Sequence, residues 1–348
     1  MLKMVYNGTY IAFDTNIIHM EETTMKKLAI ILALALALCM TTSALAETVF
    51  QLGTTVNEQD SFQIAAEKFA ELVAERTNGE YKIEIYPNGA LGGESDMLDS
   101  MSMGMLDMGI ITSGPFVNFS EMMGVLDMPY LFATNEEAYK VLDGEIGKEL
   151  LATLEDAGLK GLAYAERGFR NVTNSVKPIT CADDLKGLKL RVMENEVYTA
   201  TFKALDVNAV PMAWAEALTA MQQGTIEGQE NPVNVMYSYK LWEYGQKYAT
   251  FDRHSYATAI ITMSYDVFSA LDEATQEIFV QAAQEAAEFE RAWVAEQEAG
   301  QIEALKANGM EIVENPDVES FRAAVTPVYE AYPQYADYIA RIQATLAE

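Results

Sequence analysis

In the first part of the chain, segments in which hydrophobic residues recur every two positions, as in strands, alternate with segments in which they recur every three to four positions, as in helices. Strands are predicted over 48–56, 81–86 and 108–112, and helices over 61–77 and 92–103. Ser61 is the predicted N-cap of the first helix, and Asn78 and Gly79 follow its predicted end. Strands that alternate with helices are typical of a sheet with crossover helices. The pattern therefore predicts an α/β fold.

The same periods continue through the rest of the chain. Further strands are predicted over 160–164, 169–173, 254–263 and 310–313, and further helices over 196–205, 214–223, 233–239, 318–330 and 334–347. Within 184–192, a turn at a glycine is predicted to lead into another short strand. The two predicted strands near the middle suit a chain that crosses between two lobes. We therefore expect a hinge near 167–169 and 255–256.

One predicted helix is much longer than the others. Residues 273–308 are almost all helix formers, and Gly300 is the only glycine among them. A helix of this length would be about 54 Å long. It has one apolar stripe, formed by Ile278, Ala282, Ala286, Phe289, Trp293 and Ile302. Because sustained leucine heptads are missing, we expect a helix that spans two lobes rather than a coiled coil.

The most specific chemistry lies in residues 184–232. Arg191 interrupts an otherwise apolar strand pattern, and a buried guanidinium needs a partner. Trp214 is one of three tryptophans, and glycines and a proline frame Gln229 and Asn231 on a predicted loop. An arginine, an aromatic ring and amides are typical of a small-molecule pocket. The alternative is that Arg191 pairs with a carboxylate of the protein, and the residues alone leave both open.

Composition narrows the function classes. A length of 348 residues fits two domains, and 50% hydrophobic residues are typical of a folded protein. A formal net charge of −29 excludes nucleic acid as a partner, because phosphates would be repelled. It does not exclude an anionic ligand, since salt screens distant charges over about 8–10 Å. Residues 167–191 form a locally basic segment, in which Asp183 and Asp184 are the only acids.

The N-terminal residues have the features of a secretory signal peptide. Lys26 and Lys27 precede an apolar run over 28–40, and residues 44–46 form an Ala-x-Ala cleavage site. We therefore predict a signal peptide over 25–46, cleavage after Ala46 and a periplasmic location. Residues 1–24 are interpreted as an upstream extension, with Met25 as the true start. Lipidation of Cys39 is disfavoured because bulky Leu38 precedes it.

Few residues of the sequence support a catalytic or a metal-binding function. After Ala46 the chain has one cysteine, Cys181, and one histidine, His254. One cysteine cannot form an internal disulfide. One cysteine and one histidine are also too few for a metal site rich in these two residue types. Dinucleotide-binding, P-loop and nucleophile-elbow motifs are also missing. The sequence predicts a protein that is not an enzyme and that has no cofactor or metal.

Six motifs in register resemble the DctP-type solute-binding proteins of tripartite ATP-independent periplasmic (TRAP) transporters. They are 91–94 (LGGE), 168–174 (GFRNVTN), 177–179 (KPI), 185–192 (LKGLKLRV), 211–216 (PMAWAE) and 228–232 (GQENP). The resemblance covers essentially all of 47–348. It implies a two-lobed periplasmic-binding-protein-like fold, with a ligand cleft between the lobes and the long helix spanning both. We expect lobe I to comprise 47–168 and 257–296, and lobe II 169–256 and 297–348.

The resemblance also implies a binding site. The arginine that matches Arg191 clamps a ligand carboxylate in that family, and the residues that match Arg170 and Asn231 assist it. Residues that match Glu94 and Trp214 line the pocket. Where the family often has His-Pro after the first strand, this chain has Asp60 and Ser61, so Asp60 is placed near the mouth of the pocket.

The ligand is expected to be an organic acid that is handed to TRAP membrane subunits by a monomeric binding protein. Glu94 would repel the second carboxylate of a diacid, whereas it can bond to hydroxyl groups. This favours a sugar acid, such as a hexuronate or an aldonate, over a C4-dicarboxylate. Two other functions are a receptor that feeds a sensor protein and a secreted lyase or hydrolase with paired carboxylates.

Overall fold

The structure is a computed structural model that describes residues 3–6, 9–12, 26–27 and 47–348. Residues 1–46 and 47–348 are two separate units. In the first, β1 (Lys3–Tyr6) and β2 (Thr9–Ala12) form an antiparallel pair. The predicted apolar run over 28–40 and the predicted cleavage site after Ala46 lie outside the described residues.

The second unit contains a nine-stranded mixed sheet. Its strands are β3 (Thr48–Gly53), β4 (Tyr81–Tyr86), β5 (Met108–Thr112), β6 (Leu159–Asn174), β7 (Lys189–Val192), β8 (Asn208–Pro211), β9 (Gly228–Asn231), β10 (Tyr248–Ser264) and β11 (Glu311–Val313). Their spatial order is β4-β3-β5-β10-β6-β9-β7-β8, and β11 pairs with β10 beside this path. We call β3, β4 and β5 the first half of the sheet, and β7, β8, β9 and β11 the second half.

Helices cover both halves of the sheet. They are α1 (Ser61–Arg76), α2 (Glu94–Ser102), α3 (Asn135–Leu142), α4 (Glu145–Ala152), α5 (Glu196–Ala204), α6 (Trp214–Gln222), α7 (Val233–Ser238), α8 (Tyr265–Ser269), α9 (Glu273–Ala307), α10 (Val318–Ala331) and α11 (Ala336–Ala347). Within the described ranges, no helix combines the length and the apolar character that a membrane span needs.

The two longest strands, β6 and β10, join the halves. They pair antiparallel along most of their length, with β5 beside β10 on one side and β9 beside β6 on the other. The prediction of two strands over 160–164 and 169–173 was wrong, because β6 is continuous. Ala257 pairs with Gly168 and Thr258 with Glu166, so Arg167 is the extra residue of a β-bulge. Gly168 has φ +100°, a conformation that L side chains rarely adopt.

Two other local predictions need correction. Asp60, not Ser61, is the N-cap of α1, and its Oδ1 accepts a hydrogen bond from the Phe62 N–H at 3.2 Å. The predicted loop around Gln229 and Asn231 contains strand β9, which pairs with β6 on one side and β7 on the other. Strand pairing on both sides outweighs the low strand propensity of its polar residues.

The predicted long helix is confirmed as α9, and it packs in two separate cores, one towards each of its ends. Phe279, Ala282 and Ala286 pack in a core with α1 and the first half of the sheet. Towards its other end, Leu305 packs in a separate core with residues of α6 and α7, and the Gln301 Nε2 donates to Asn234 Oδ1 at 3.2 Å. At about 1.5 Å per residue, its 35 residues span about 52 Å.

Candidate functional site

Arg191 on β7 is a buried guanidinium that has no acidic partner within residues 47–348. Its side chain is 5% exposed, and its Nε donates to the carbonyl of Met212 at 2.9 Å. Across residues 47–348, no carboxylate forms an ion pair with it, and neither Nη nitrogen has a hydrogen-bond acceptor. Burial lowers the pKa of Arg191 to about 10. The alternative that Arg191 pairs with a carboxylate of the protein is therefore wrong, and both of its Nη groups remain available to a ligand.

Trp214 begins α6 and holds the other side of this guanidinium. The Arg191 Cζ lies 5.5 Å from the centroid of the Trp214 ring, within the range of a cation–π contact. Trp214 in turn contacts Tyr239 in a nearly perpendicular arrangement, with ring centroids 5.1 Å apart and ring planes at 82°. The two residues predicted to grip and line the pocket thus contact each other.

Arg170 on β6 has a carboxylate partner of its own. Its Nε and Nη2 bond to the two carboxylate oxygens of Glu230 on β9, and Nη2 also donates to the Glu230 carbonyl at 2.6 Å. Both side chains are fully or almost fully buried, and the Arg170 Cζ lies 5.5 Å from the Tyr198 ring centroid. Two of its three nitrogens are thus committed to the protein, and Nη1 is the one left for a ligand.

His254 extends this pair into a buried network. Its Nδ1 lies 2.8 Å from Asp252 Oδ2, and its Nε2 lies 3.3 Å from Glu230 Oε2. Burial alone would lower the pKa of His254, but the two carboxylates outweigh it and raise the pKa to about 9. Burial would likewise raise the pKa of Glu230, but Arg170 and His254 lower it to about 2.

Several charges lie close together in this buried region. Arg170, Arg191 and protonated His254 are cations, and Glu230 and Asp252 are carboxylates. The charge of Glu230 acts on Arg191 as well as on Arg170, and buried Asp127, whose pKa burial raises to about 7, also acts on Arg170 and Glu230. Of the two arginines, Arg191 is the one that forms no ion pair within 47–348, so a ligand carboxylate can bond to it.

Glu94 faces the same two arginines from the first half of the sheet. It begins α2, and its Oε1 accepts hydrogen bonds from the Thr112 N–H at 2.9 Å and the Thr112 hydroxyl at 2.7 Å. Its charge raises the pKa of both Arg170 and Arg191. No neighbour in 47–348 donates to its Oε2, so this oxygen can meet a ligand group.

Asn231 and Asp60, two further predicted site residues, form their hydrogen bonds and ion pairs with residues other than the two arginines. Asn231 on β9 donates from its Nδ2 to Gln229 Oε1. Asp60 caps α1 and pairs with Arg167 Nη1 at 2.7 Å. The predicted roles of these two residues in ligand binding stay predictions.

A separate cavity of about 470 Å³ lies between α4, β6 and α9. None of the six predicted site residues lines it. Its buried arginine, Arg291, pairs with both oxygens of Asp143, at 2.6 and 2.9 Å. Because that guanidinium already has a carboxylate, this cavity is a weaker candidate for an organic acid than the region of Arg191.

Residues 52–335 match the family model of DctP, the bacterial extracellular solute-binding protein family 7. The chain belongs to this family. The predicted family is therefore confirmed, and so is the two-lobed α/β fold with a central sheet. DctP-family proteins are periplasmic, bind small organic acids and work with the membrane subunits of TRAP transporters.

Relatives of this DctP-family protein include several named for sugar acids. The 2,3-diketo-L-gulonate-binding periplasmic protein YiaO of Escherichia coli is 38% identical over 82% of this chain and 86% of its own length. A TRAP periplasmic solute-binding protein from Polaromonas sp. JS666, bound to D-erythronate, is 41% identical with a TM-score of 0.84, covering 86% of this chain and 99% of that one. A third, from Sulfitobacter sp. NAS-14.1 with bound β-D-galacturonate, is 29% identical with a TM-score of 0.81, over 86% and 99% of the two chains.

Three residues of the buried network in this DctP-family protein, Glu230, Asp252 and His254, were not among the predicted site residues. Glu230 lies inside the 228–232 motif, yet its neighbours Gln229 and Asn231 were selected instead. A signal was present, because His254 is the one histidine after Ala46 and stands in an apolar strand with Asp252 two residues before it. Residues two apart in a strand point to the same face. That spacing could have predicted the His254–Asp252 pair.

The network makes stability depend on pH. The pKa of His254 is raised in the folded state, so its contribution is fully present below about pH 6.5 and is lost as pH rises towards 9. We expect the free energy of unfolding to fall by on the order of 3 kcal/mol across this window. Urea unfolding at pH 6, 7.5 and 9 measures it. His254→Gln is the control: it should be less stable at pH 6, with a flatter profile, and an equal slope in both proteins would assign the titration to another group.

Proposed function

We propose that this protein captures a sugar acid, such as a hexuronate or an aldonate, by clamping its carboxylate with Arg191, and delivers it to a TRAP-type permease. The observation that carries the proposal is the buried Arg191 guanidinium, which has no carboxylate partner in 47–348 and is held by Trp214 and the Met212 carbonyl. Such a fork can bond to both oxygens of a carboxylate.

The charges around Arg191 favour one carboxylate over two. Arg191 forms no ion pair within 47–348, and a single ligand carboxylate would supply its partner. A second carboxylate near Glu94 would meet a like charge in a poorly hydrated site, which is costly. Hydroxyl groups have no such cost, because Glu94 Oε2 can accept from them. The ring of Trp214 can pack against the carbon skeleton of the ligand.

The ligands named for the three relatives support the same class. Erythronate, galacturonate and diketogulonate each have one carboxylate and several further oxygen atoms. The region around Arg191 and Glu94 is suited to bind this combination of one carboxylate and several further oxygen atoms. Asn231 and the Nη1 of Arg170 are proposed to complete the contacts to the ligand.

Four further statements belong to this proposal. Lobe I comprises 47–168 and 257–296, and lobe II comprises 169–256 and 297–348. The signal peptide is cleaved after Ala46. The mature protein acts as a monomer. It releases its ligand chemically unchanged, as expected of a transport protein rather than an enzyme.

A thermal-shift panel tests the ligand class. Glucuronate, galacturonate and erythronate should raise the melting temperature of the protein more than succinate, malate or fumarate at equal concentration. The physical reason is that a ligand stabilises the folded state by RT ln(1 + [L]/Kd). Galactose is a matched control, because it resembles galacturonate but has no carboxylate, and it should have no effect.

The outcomes of this panel separate the candidate ligands. A larger shift with succinate or malate would replace the sugar acid with a C4-dicarboxylate and would mean that Glu94 is turned away or neutralised. Equal shifts with galactose and galacturonate would contradict the carboxylate clamp. Recovery of the bound acid in altered form would contradict the statement that the protein is not an enzyme.

A further inference from the structure

A chain of contacts connects Arg191 with the loop after β3. The Arg191 guanidinium lies over Trp214, and the ring of Trp214 packs nearly perpendicular to that of Tyr239. The Tyr239 hydroxyl then donates a hydrogen bond to the carbonyl of Thr55 at 3.0 Å. Arg191 and Trp214 belong to the second half of the sheet and its helices, whereas Thr55 follows β3 of the first half. Tyr239 therefore bridges the two halves.

Two more hydrogen bonds cross at the same place. The Asn57 Nδ2 donates to the Ser238 carbonyl at 3.1 Å, and the Ser238 hydroxyl donates to Asp60 Oδ2 at 3.3 Å. The end of α7 thus meets the 54–60 loop through two adjacent residues, Ser238 and Tyr239. We call this set of contacts the α7 bridge.

Hydrogen bonds fix the 54–60 loop, whose Thr55 carbonyl accepts the Tyr239 bond of the α7 bridge. The Thr54 N–H donates to the Tyr86 carbonyl at 3.0 Å, and the Asn88 N–H donates to the Val56 carbonyl at 2.7 Å. At the other end of the loop, Asp60 caps α1 and pairs with Arg167 of the β-bulge. A loop fixed at both ends keeps the Thr55 carbonyl in one position. The position of Tyr239 therefore depends on how the second half lies against the first.

We propose that Tyr239 is a positioning residue that couples the grip of Arg191 on a carboxylate to the contact between the two halves. Its ring orients Trp214, which orients the guanidinium, and its hydroxyl forms the one of the three crossing hydrogen bonds that belongs to this chain of contacts. Such coupling is reciprocal: a ligand that fixes Arg191 and Trp214 favours the bond to Thr55, and this bond slows release of the ligand. The inference rests on the proposed function, because it needs an acid bound at Arg191.

Tyr239→Phe tests the coupling because it removes the hydroxyl and keeps the ring. We expect dissociation of bound acid to accelerate about tenfold, the effect of losing one hydrogen bond, with a smaller change in the association rate. Stopped-flow tryptophan fluorescence with D-galacturonate measures both rates, and D-erythronate is a second probe. Small-angle scattering should show a smaller ligand-induced decrease in the radius of gyration than in the wild type.

A matched control lies on the same helix. Tyr237 is 37% exposed, and its hydroxyl has no hydrogen-bond partner within 47–348, so Tyr237→Phe should keep the wild-type rates. A purely structural role for Tyr239 would lower the free energy of unfolding of the ligand-free protein and leave the dissociation rate unchanged, and that result overturns the inference. If the wild type binds neither probe, the proposed sugar-acid function fails first, and the coupling falls with it.

Discussion

Replacing Arg191 with alanine should abolish measurable ligand binding and leave the ligand-free protein folded. Loss of a guanidinium that grips a buried carboxylate costs about 2–5 kcal/mol of binding free energy. Folding should be spared, because Arg191 has no acidic partner within 47–348 whose charge would be left alone. We expect an unchanged or slightly higher free energy of unfolding in the ligand-free variant, since a buried, unpaired charge is removed. Calorimetric titration and urea unfolding measure the two effects.

Two further variants sharpen this result. Arg191→Lys keeps the charge but loses the planar fork, so it should restore binding only in part. Arg322→Ala removes an arginine that is 41% exposed and stacks on Tyr130, and it should bind as the wild type does. Near-normal affinity in Arg191→Ala would falsify the clamp. Loss of folding in that variant would instead assign Arg191 a structural role.

The second large effect is expected for Arg170→Ala, as a lower free energy of unfolding. Arg170→Ala leaves the fully buried carboxylate of Glu230 with His254 as its remaining charged partner. Breaking a buried ion pair in this way destabilises a protein by about 3–5 kcal/mol. Urea unfolding at pH 7 should therefore show a much lower midpoint for Arg170→Ala than for Arg191→Ala.

A double-mutant cycle separates the ion pair from other effects of the truncation. Glu230→Ala combined with Arg170→Ala should cost less than the sum of the single changes, because the double variant leaves neither charge of this pair buried without its partner. Additive effects would mean that the two side chains act independently. A loss below about 1 kcal/mol in Arg170→Ala would contradict its structural role and favour a role in ligand binding alone.

Most of the elements in 47–348 could be predicted from hydrophobic periodicity, including the boundaries of α9 within a residue. The elements α3, α4, α8 and β8 were not predicted, and two further errors arose where pairing partners decide the local structure. Residues 165–168 interrupt the strand pattern, and a β-bulge opposite β10 keeps β6 continuous there. Strand β9 is polar, and its two neighbouring strands lie distant in sequence. Neither pairing can be deduced from the segment itself.

The partners of the arginines were the least predictable part of the site. From the sequence, a carboxylate of the protein was considered as a partner for Arg191, whereas Arg170 was predicted to contact the ligand. In the structure Arg170 pairs with a carboxylate, and Arg191 pairs with none in 47–348. Arg170 and Glu230 are 60 residues apart, and they meet because β6 and β9 are neighbours. Asp60 likewise finds Arg167 across 107 residues, which its place before α1 does not indicate.

The position of β10 in the sheet sets the order in which this fold can be completed. It lies between β5 and β6, so the first half of the sheet is joined to β6 through a strand that comes 74 residues after the end of β6. A nascent chain that ends before Tyr248 has the first half of the sheet and, apart from β11, the second half, but not the strand that unites them. Contacts between residues so distant in sequence form slowly. The halves of the cleft therefore become one folding unit late, after most of the chain has been made.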